Sequence, residues 1–252
     1  MPIRQSITLI LTSILLSLCF VSTKAQEDTT NLDSLQIWNA SKKYIYDAFY
    51  IDSIGDTITK EQIIIQPIRK MHKYKIAEDQ IVLKYIYNYS EADSARLAPN
   101  PVNGNEWTQQ NGSMKWLKTV REGAIETNGS VWLHPFRMNQ YVLTEIAPFP
   151  GVRFPLHINK KWDMTLTVFR GWGIFKGKHK QTMIVTDKKD YTLQIGQMNN
   201  CWVIFGLSTH KNLGTSQVEY IYHEQYGFLS MQYKFYNGQR ITFILSELIT
   251  DS

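Results

Sequence analysis

The hexapeptide Trp132-Leu133-His134-Pro135-Phe136-Arg137 places an indole, an imidazole and a guanidinium within six residues. Side chains alternate along a strand, so a strand here would put Trp132 and His134 on one face. That face could hold a sugar ring or a ligand carboxylate, with Arg137 as the anion contact. The same run also reads as a strand end whose Trp is core and whose Pro135 stops the ladder. A second concentration, residues 170–180, mixes glycines, aromatics and basic residues around Trp172. Trp132, His134, Arg137 and Trp172 are therefore the candidate ligand contacts. A phosphate loop is excluded in the second segment, because Gly171-x-Gly173 is followed by neither a helix pattern nor the remaining glycine of the fingerprint. It reads instead as a basic hairpin, either simply solvated or lying near anionic lipid or polysaccharide.

Searches for catalytic and metal signatures give no residues. Gly206-Leu207-Ser208-Thr209-His210 begins like a nucleophile elbow, but His210 stands where the closing glycine belongs. The six histidines form no i, i+4 helical pair and have no cysteine at zinc-ligand spacing. Glu145, Glu219 and Glu224 are acids that the fold could bring together, but sequence does not set the separation a glycosidase needs. The expectation is no catalytic residue, no metal and no cofactor. Five Asp-Ser/Thr pairs carry Thr29, Ser34, Ser53, Thr57 and Ser94. They match an O-glycosylation acceptor pattern of some exporting bacteria and, equally, ordinary turn chemistry.

The elements that must position these groups read as strands. Tyr44 to Ile51, Ile63 to Ile65 and Ile81 to Tyr87 are rich in β-branched and aromatic residues, and the last is apolar on both faces, as a central strand would be. Residues 91–113, with Pro99, Pro101 and Asn103-Gly104, read as a long exposed loop. Residues 116–123 fit a short helix or a strand. Pro148 to Leu156 cannot be a regular internal strand and reads as an edge or a rigid connector for Phe149 and Phe154. Further on, Gln181–Thr186 and Tyr191–Ile195 flank Asp187-Lys188-Lys189-Asp190, a hairpin pattern. Asn237-Gly238 between two alternating runs is a second and stronger hairpin signal. Trp132, Trp162, Trp172 and Trp202 fall on successive candidate strands. Consecutive hairpins predict a mainly β chain: an antiparallel curved sheet forming a half-open or closed barrel.

The N-terminus bounds the compartment. Arg4, the apolar stretch from Ile7 to Val21 and Thr23-Lys24-Ala25 make a signal peptide over residues 1–25. Residues 26–36 follow as a flexible leader, and a single β domain occupies 37–252. The apolar stretch is shorter than the roughly 20 residues that span a bilayer, so the mature chain is expected to carry no transmembrane segment. Leu16-Ser17-Leu18-Cys19 resembles a lipobox, but bulky Leu18 precedes the cysteine, so soluble export to the periplasm or medium is favoured over lipidation. Arg4 and Lys24 leave with the leader, which lowers the formal charge of +5 by two. The remaining mild basicity does not indicate nucleic acid. Cys19 leaves as well, and Cys201, alone in a strand-like run, is expected to be a buried thiol outside any disulfide.

The motifs Trp132 to Arg137, Glu145 to Pro150, Phe154-Pro155-Leu156, Lys161-Trp162, Leu213 to Ser216, Tyr226-Gly227-Phe228 and Tyr236-Asn237-Gly238 together resemble an uncharacterised group of secreted proteins from Gram-negative bacteria. The resemblance covers roughly residues 130–247. That group is loosely similar to periplasmic half-barrels of the lipoprotein-carrier type. The resemblance implies a compartment and an architecture and supplies no catalytic residue. Two functional readings follow: an envelope protein holding a lipid-like or amphipathic ligand in the sheet concavity, or an interaction module for an envelope protein with no small-molecule ligand.

Overall fold

The computed structural model describes residues 35–71, 80–97, 109–110, 113–114, 116–169 and 172–250. The signal peptide, the lipobox, most of the leader, Thr29, Ser34, Cys19, the Pro99–Gly104 break, Arg170 and Gly171 lie outside them.

Alternation builds the wall. In β1 (Lys42–Ile51), Tyr44, Tyr46, Ala48 and Tyr50 are buried on one face; in β3 (Ile81–Asn88), Ile81, Leu83, Tyr85 and Tyr87 are. The strand between them, β2 (Thr57–Met71), turns Thr59, Glu61, Ile63 and Ile65 inward in the same way. Chain order then gives β4 (Gln109–Gln110), β5 (Ser113–Met114), β6 (Thr119–Glu126), β7 (Ser130–Leu133), β8 (Gly151–Arg153) and β9 (Lys161–Val168). A succession of hairpin-linked strands completes it: β10 (Gly177–Leu193), β11 (Gly196–His210), β12 (Gly214–His223), β13 (Gly227–Lys234) and β14 (Arg240–Thr250). Twelve of these, all but the small β4–β5 pair, form one antiparallel sheet in the order β8-β7-β6-β3-β2-β1-β14-β13-β12-β11-β10-β9. The sheet curls into a nearly closed barrel with one unsealed seam, between its two end strands β8 and β9.

β3 sits inside the sheet, as its two apolar faces required, and residues 119–126 are strand. Asn237-Gly238 is the β13–β14 turn, with Gly238 at φ 83°, a region L side chains avoid. The 91–113 stretch contains a seven-residue helix, α1 (Glu91–Leu97), and part of the β4–β5 pair. The hairpin expected at Asp187-Lys188-Lys189-Asp190 is displaced: those residues lie within β10, and the turn comes at Gln194-Ile195, before Gly196. There the ribbon is exposed, so turn-forming polar residues cost the strand little; two register shifts absorb them, and Lys188 lies over the Trp202 ring at 4.5 Å.

A segment of the chain itself fills the barrel. Between β7 and β8 the backbone enters the interior and forms a 310 helix, Asn139–Ile146, all eight residues of which are buried. Phe136 packs edge-on against Tyr46, Tyr85 and Phe243, at centroid distances of 5.4, 5.1 and 4.7 Å. Tyr141 stacks on Tyr87 and donates its hydroxyl to buried Glu61 at 3.0 Å. Burial pushes the Glu61 carboxyl above its usual pKa, with bonds from Gln140 and Tyr141 opposing.

One end of the barrel is tied by Glu126, at the end of β6. Its carboxylate accepts the backbone N–H groups of Gln36, Ile37 and Trp38 at 2.7–3.1 Å, holding Leu35, Ile37 and Trp38 in the core. Hydrogen bonds to a charged acceptor are each worth about 1.5–3 kcal/mol. Glu126→Ala is expected to cost about 3 kcal/mol in urea unfolding, with Glu126→Gln losing less.

Candidate functional site

β7 ends at Leu133, so Trp132 is on the strand and His134 is the first residue beyond it. Their rings meet at 5.1 Å, and Phe149, returning from the plug, closes a triangle at 6.0 Å from Trp132 and 5.0 Å from His134. Arg137 follows as the chain turns inward. Its guanidinium forks onto Glu122 of β6 with bonds of 3.1 and 2.9 Å and reaches Glu145 of the 310 helix at 2.9 Å. Both carboxylate side chains are 6% exposed and the guanidinium side chain 19%. His134 Nδ1 stands 4.0 Å from Glu122. Trp172 covers the arginine, with the guanidinium carbon 5.4 Å from its ring centroid. His134, Arg137 and Trp172 thus gather around one buried ion triad, and Trp132 joins them through the His134 ring.

The triad has one cation for two carboxylates. Burial alone would lower the Arg137 pKa, but Glu122 and Glu145 outweigh it and hold the guanidinium above its usual value. Burial raises the Glu145 carboxyl, and Arg137 opposes this without cancelling it. The sequence offers Arg137 as an anion contact for a ligand; in the fold, two internal carboxylates already occupy its fork. Glu122 does not stand out in the sequence. Its signal is that it shares the inward face of β6 with Ala124 and Glu126, which shows only once 116–123 is known to be strand. Glu145, Glu219 and Glu224 do not converge: Glu219 is exposed on β12, and Glu224 accepts the Trp202 indole N–H at 3.1 Å. Trp172 lies in the loop before a 310 turn, Gly173–Phe175, so it is not on a strand. Of the candidate glycosylation residues, Ser53 and Thr57 are exposed, and Ser94 lies on α1 with its hydroxyl bonded to Glu91 O. Cys201 is buried in β11, its thiol directed to the Met198 carbonyl.

Where the ladder is missing, a few side chains make a partial closure. From β10, Gln181 donates to Ala147 O at 3.1 Å and accepts Phe149 N–H at 3.5 Å; from β12, the Tyr220 hydroxyl exchanges hydrogen bonds with both Gly151 N and Gly151 O. Outside this closure is a cavity of about 320 Å³. Trp162 and Met164 of β9 line one side, and Ile125, Trp132, Val152 and Arg153 of β6–β8 the other. Among the described residues, no group of three or more His, Cys, Asp or Glu is placed to hold a metal, and no helix is long and apolar enough to cross a membrane.

These features define an antiparallel barrel plugged by its own chain and open along one seam. No family model matches the chain, and no curated protein does. Its fold is similar to those of solved structures at low identity. A candidate lipoprotein from Parabacteroides distasonis aligns at TM-score 0.45 and 10% identity, covering 84% of this chain and 96% of that one. A candidate exported protein with a YmcC-like fold from Bacteroides fragilis aligns at 0.43 and 9%, covering 82% and 95%. A β-barrel-like protein from Brucella abortus, built on a domain of unknown function, aligns at 0.34 and 10%, covering 83% and 97%.

Proposed function

We propose that this is a non-enzymatic, exported cell-envelope protein that holds an apolar or amphipathic ligand at the barrel seam. The seam cavity carries the reading. At about 320 Å³ it falls at the lower end of ligand-site volumes, suited to a single chain, and its lining is mainly apolar, with Gln80, Ser130 and Arg153 as its polar members. The barrel interior, the concavity that the sequence suggests for a ligand, is taken up by Phe136, Tyr141 and their neighbours. Two of the buried carboxylates, Glu122 and Glu145, are already committed to Arg137. The leader sequence supports export. The plugged interior also favours a second reading, an interaction module of an envelope complex, in which the seam receives a partner's side chains.

The test is titration with the uncharged apolar probe N-phenyl-1-naphthylamine at pH 7.5. Saturable fluorescence enhancement and a raised melting temperature are expected, as binding to the folded state requires. Trp162→Ala and, separately, Met164→Gln should each weaken binding by about tenfold, the loss typical of a buried anchor. A folded protein that shows no saturable enhancement favours the interaction module.

A further inference from the structure

Two histidines 31 positions apart in the chain lie face to face at the seam end of the sheet. His179 of β10 and His210 of β11 are cross-strand partners, with ring centroids 4.5 Å apart and planes 19° apart. They are 0% and 6% exposed. His179 Nε2 lies 3.0 Å from Phe175 O, and His210 Nε2 lies 3.3 Å from Lys176 O. A carbonyl can only accept, so both Nε2 atoms carry the proton and each neutral ring presents a bare Nδ1. Both Nδ1 atoms are buried without a hydrogen-bond partner. Any further proton must therefore go to an atom that has no acceptor, in a ring stacked on a second imidazole. Near-parallel ring planes also keep the two lone pairs in separate layers, so they do not converge on a shared metal.

We propose that this pair is an acid-sensitive latch at the seam: neutral, the stacked rings support β9 and the Trp172 turn; protonated, they repel across β10 and β11 with no buried acceptor for the new protons, and the β9 edge and the turn beside them loosen. The proposal deepens the seam reading and rests on it for its consequence for ligand. The connections are direct. The two accepting carbonyls belong to the Gly173–Phe175 turn and the residue after it, and that turn places Trp172 over Arg137. His179 is opposite Leu166 of β9, which shares a face with the cavity residues Trp162 and Met164. Gln181, two residues along the same face of β10, holds the plug end.

Among the described residues, the charged side chains nearest the pair along the chain are lysines. The turn contributes Lys176, β10 contributes Lys178 and Lys180, and Lys211 follows β11; Lys176, Lys180 and Lys211 are exposed and Lys178 is too. Facing the pair, β9 presents Leu166, β11 Ser208, and β12 Gly214 and Ser216. Asp163 of β9 is exposed and bonded to Thr182 at 2.6 Å. Burial lowers the His179 pKa, the Phe175 carbonyl opposes this, and His210 lowers it further. In the window below the ordinary imidazole value of about 6.5, the unfolded chain thus binds more protons than the folded one, and stability is lost as pH falls.

Hydrogen exchange of the backbone amides tests the latch without any ligand. Between pH 7.5 and 5.0, corrected for intrinsic rates, β9 amides should lose about tenfold in protection, the effect of one pKa unit of differential proton binding. Amides of β13 should not. Gln places an amide donor near the imidazole Nε2 and does not charge, so His179→Gln/His210→Gln should abolish the difference. If that variant does not fold, His210→Gln alone should reduce it by removing the repulsion. No selective loss in the wild type, or the same loss in the folded variant, overturns the latch. The naphthylamine probe separates the two ideas: selective exchange without probe binding keeps the latch and removes the seam ligand. Where both hold, probe affinity should drop at pH 5.0 in the wild type only.

Discussion

Arg137→Ala is expected to destabilise the barrel by about 3–5 kcal/mol, the cost of leaving buried carboxylates without their partner. For a domain of this size that is a fall in melting temperature of roughly 10 °C or more. The substitution strips three hydrogen bonds from Glu122 and Glu145, each of which is 6% exposed. Its pH dependence separates this mechanism from simple loss of packing. Burial already raises the Glu145 carboxyl, and removing the guanidinium raises it further. A raised carboxylate binds more protons folded than unfolded above the ordinary value, so stability falls as pH rises through that range. The variant's deficit should therefore shrink on acidification towards pH 4. A pH-independent deficit would mean that the arginine acts mainly through its contact with Trp172.

Phe136→Ala should cost a similar amount, about 3–5 kcal/mol, through a cavity in place of stranded charge. Phe136 is 1% exposed and is the ring that joins the plug to both halves of the wall, through Tyr46 and Tyr85 on one side and Phe243 on the other. The loss should be nearly the same at every pH, unlike that of Arg137→Ala. It should also be accompanied by faster exchange of the 139–146 amides, because the helix they form is anchored through this side chain. Phe136→Leu, which fills part of the space, should recover part of the loss.

The wall was legible in the sequence because alternation and turn residues are local signals. Tyr44 to Tyr50 and Ile81 to Tyr87 declare themselves strands without knowledge of their neighbours, the second by its two apolar faces as a central one, and Asn237-Gly238 specifies its own turn. Asp187–Asp190 misled because those residues lie where the ribbon is exposed, so no burial opposed a polar sequence within a strand. The plug was not legible: Asn139 to Ile146 has neither strand nor α-helical period, and its burial depends on a barrel closing around it. Pro135 and Pro148, which bracket it, signal only that no ladder continues there. The meeting of Trp132 with His134 followed from their spacing. The capture of Arg137 by Glu122 and Glu145 did not, since it joins a strand to an inserted segment through contacts that exist only after the barrel has closed.

The order of the strands has a consequence for how the chain reaches this state. β1 lies between β2 and β14, and Lys42 stands opposite Thr250. The first strand therefore cannot complete its pairing until the last has emerged. Contacts so distant along the chain are made slowly, after loop-closure entropy has been met. The β10 to β14 succession of hairpins, by contrast, can form from neighbours alone. A chain threaded N-terminus first through a secretion channel would keep β1 unpaired on its β14 side throughout transit. The wall would close only once release is complete, and a truncation that removes β14 alone would leave two open edges where the native protein has paired strands.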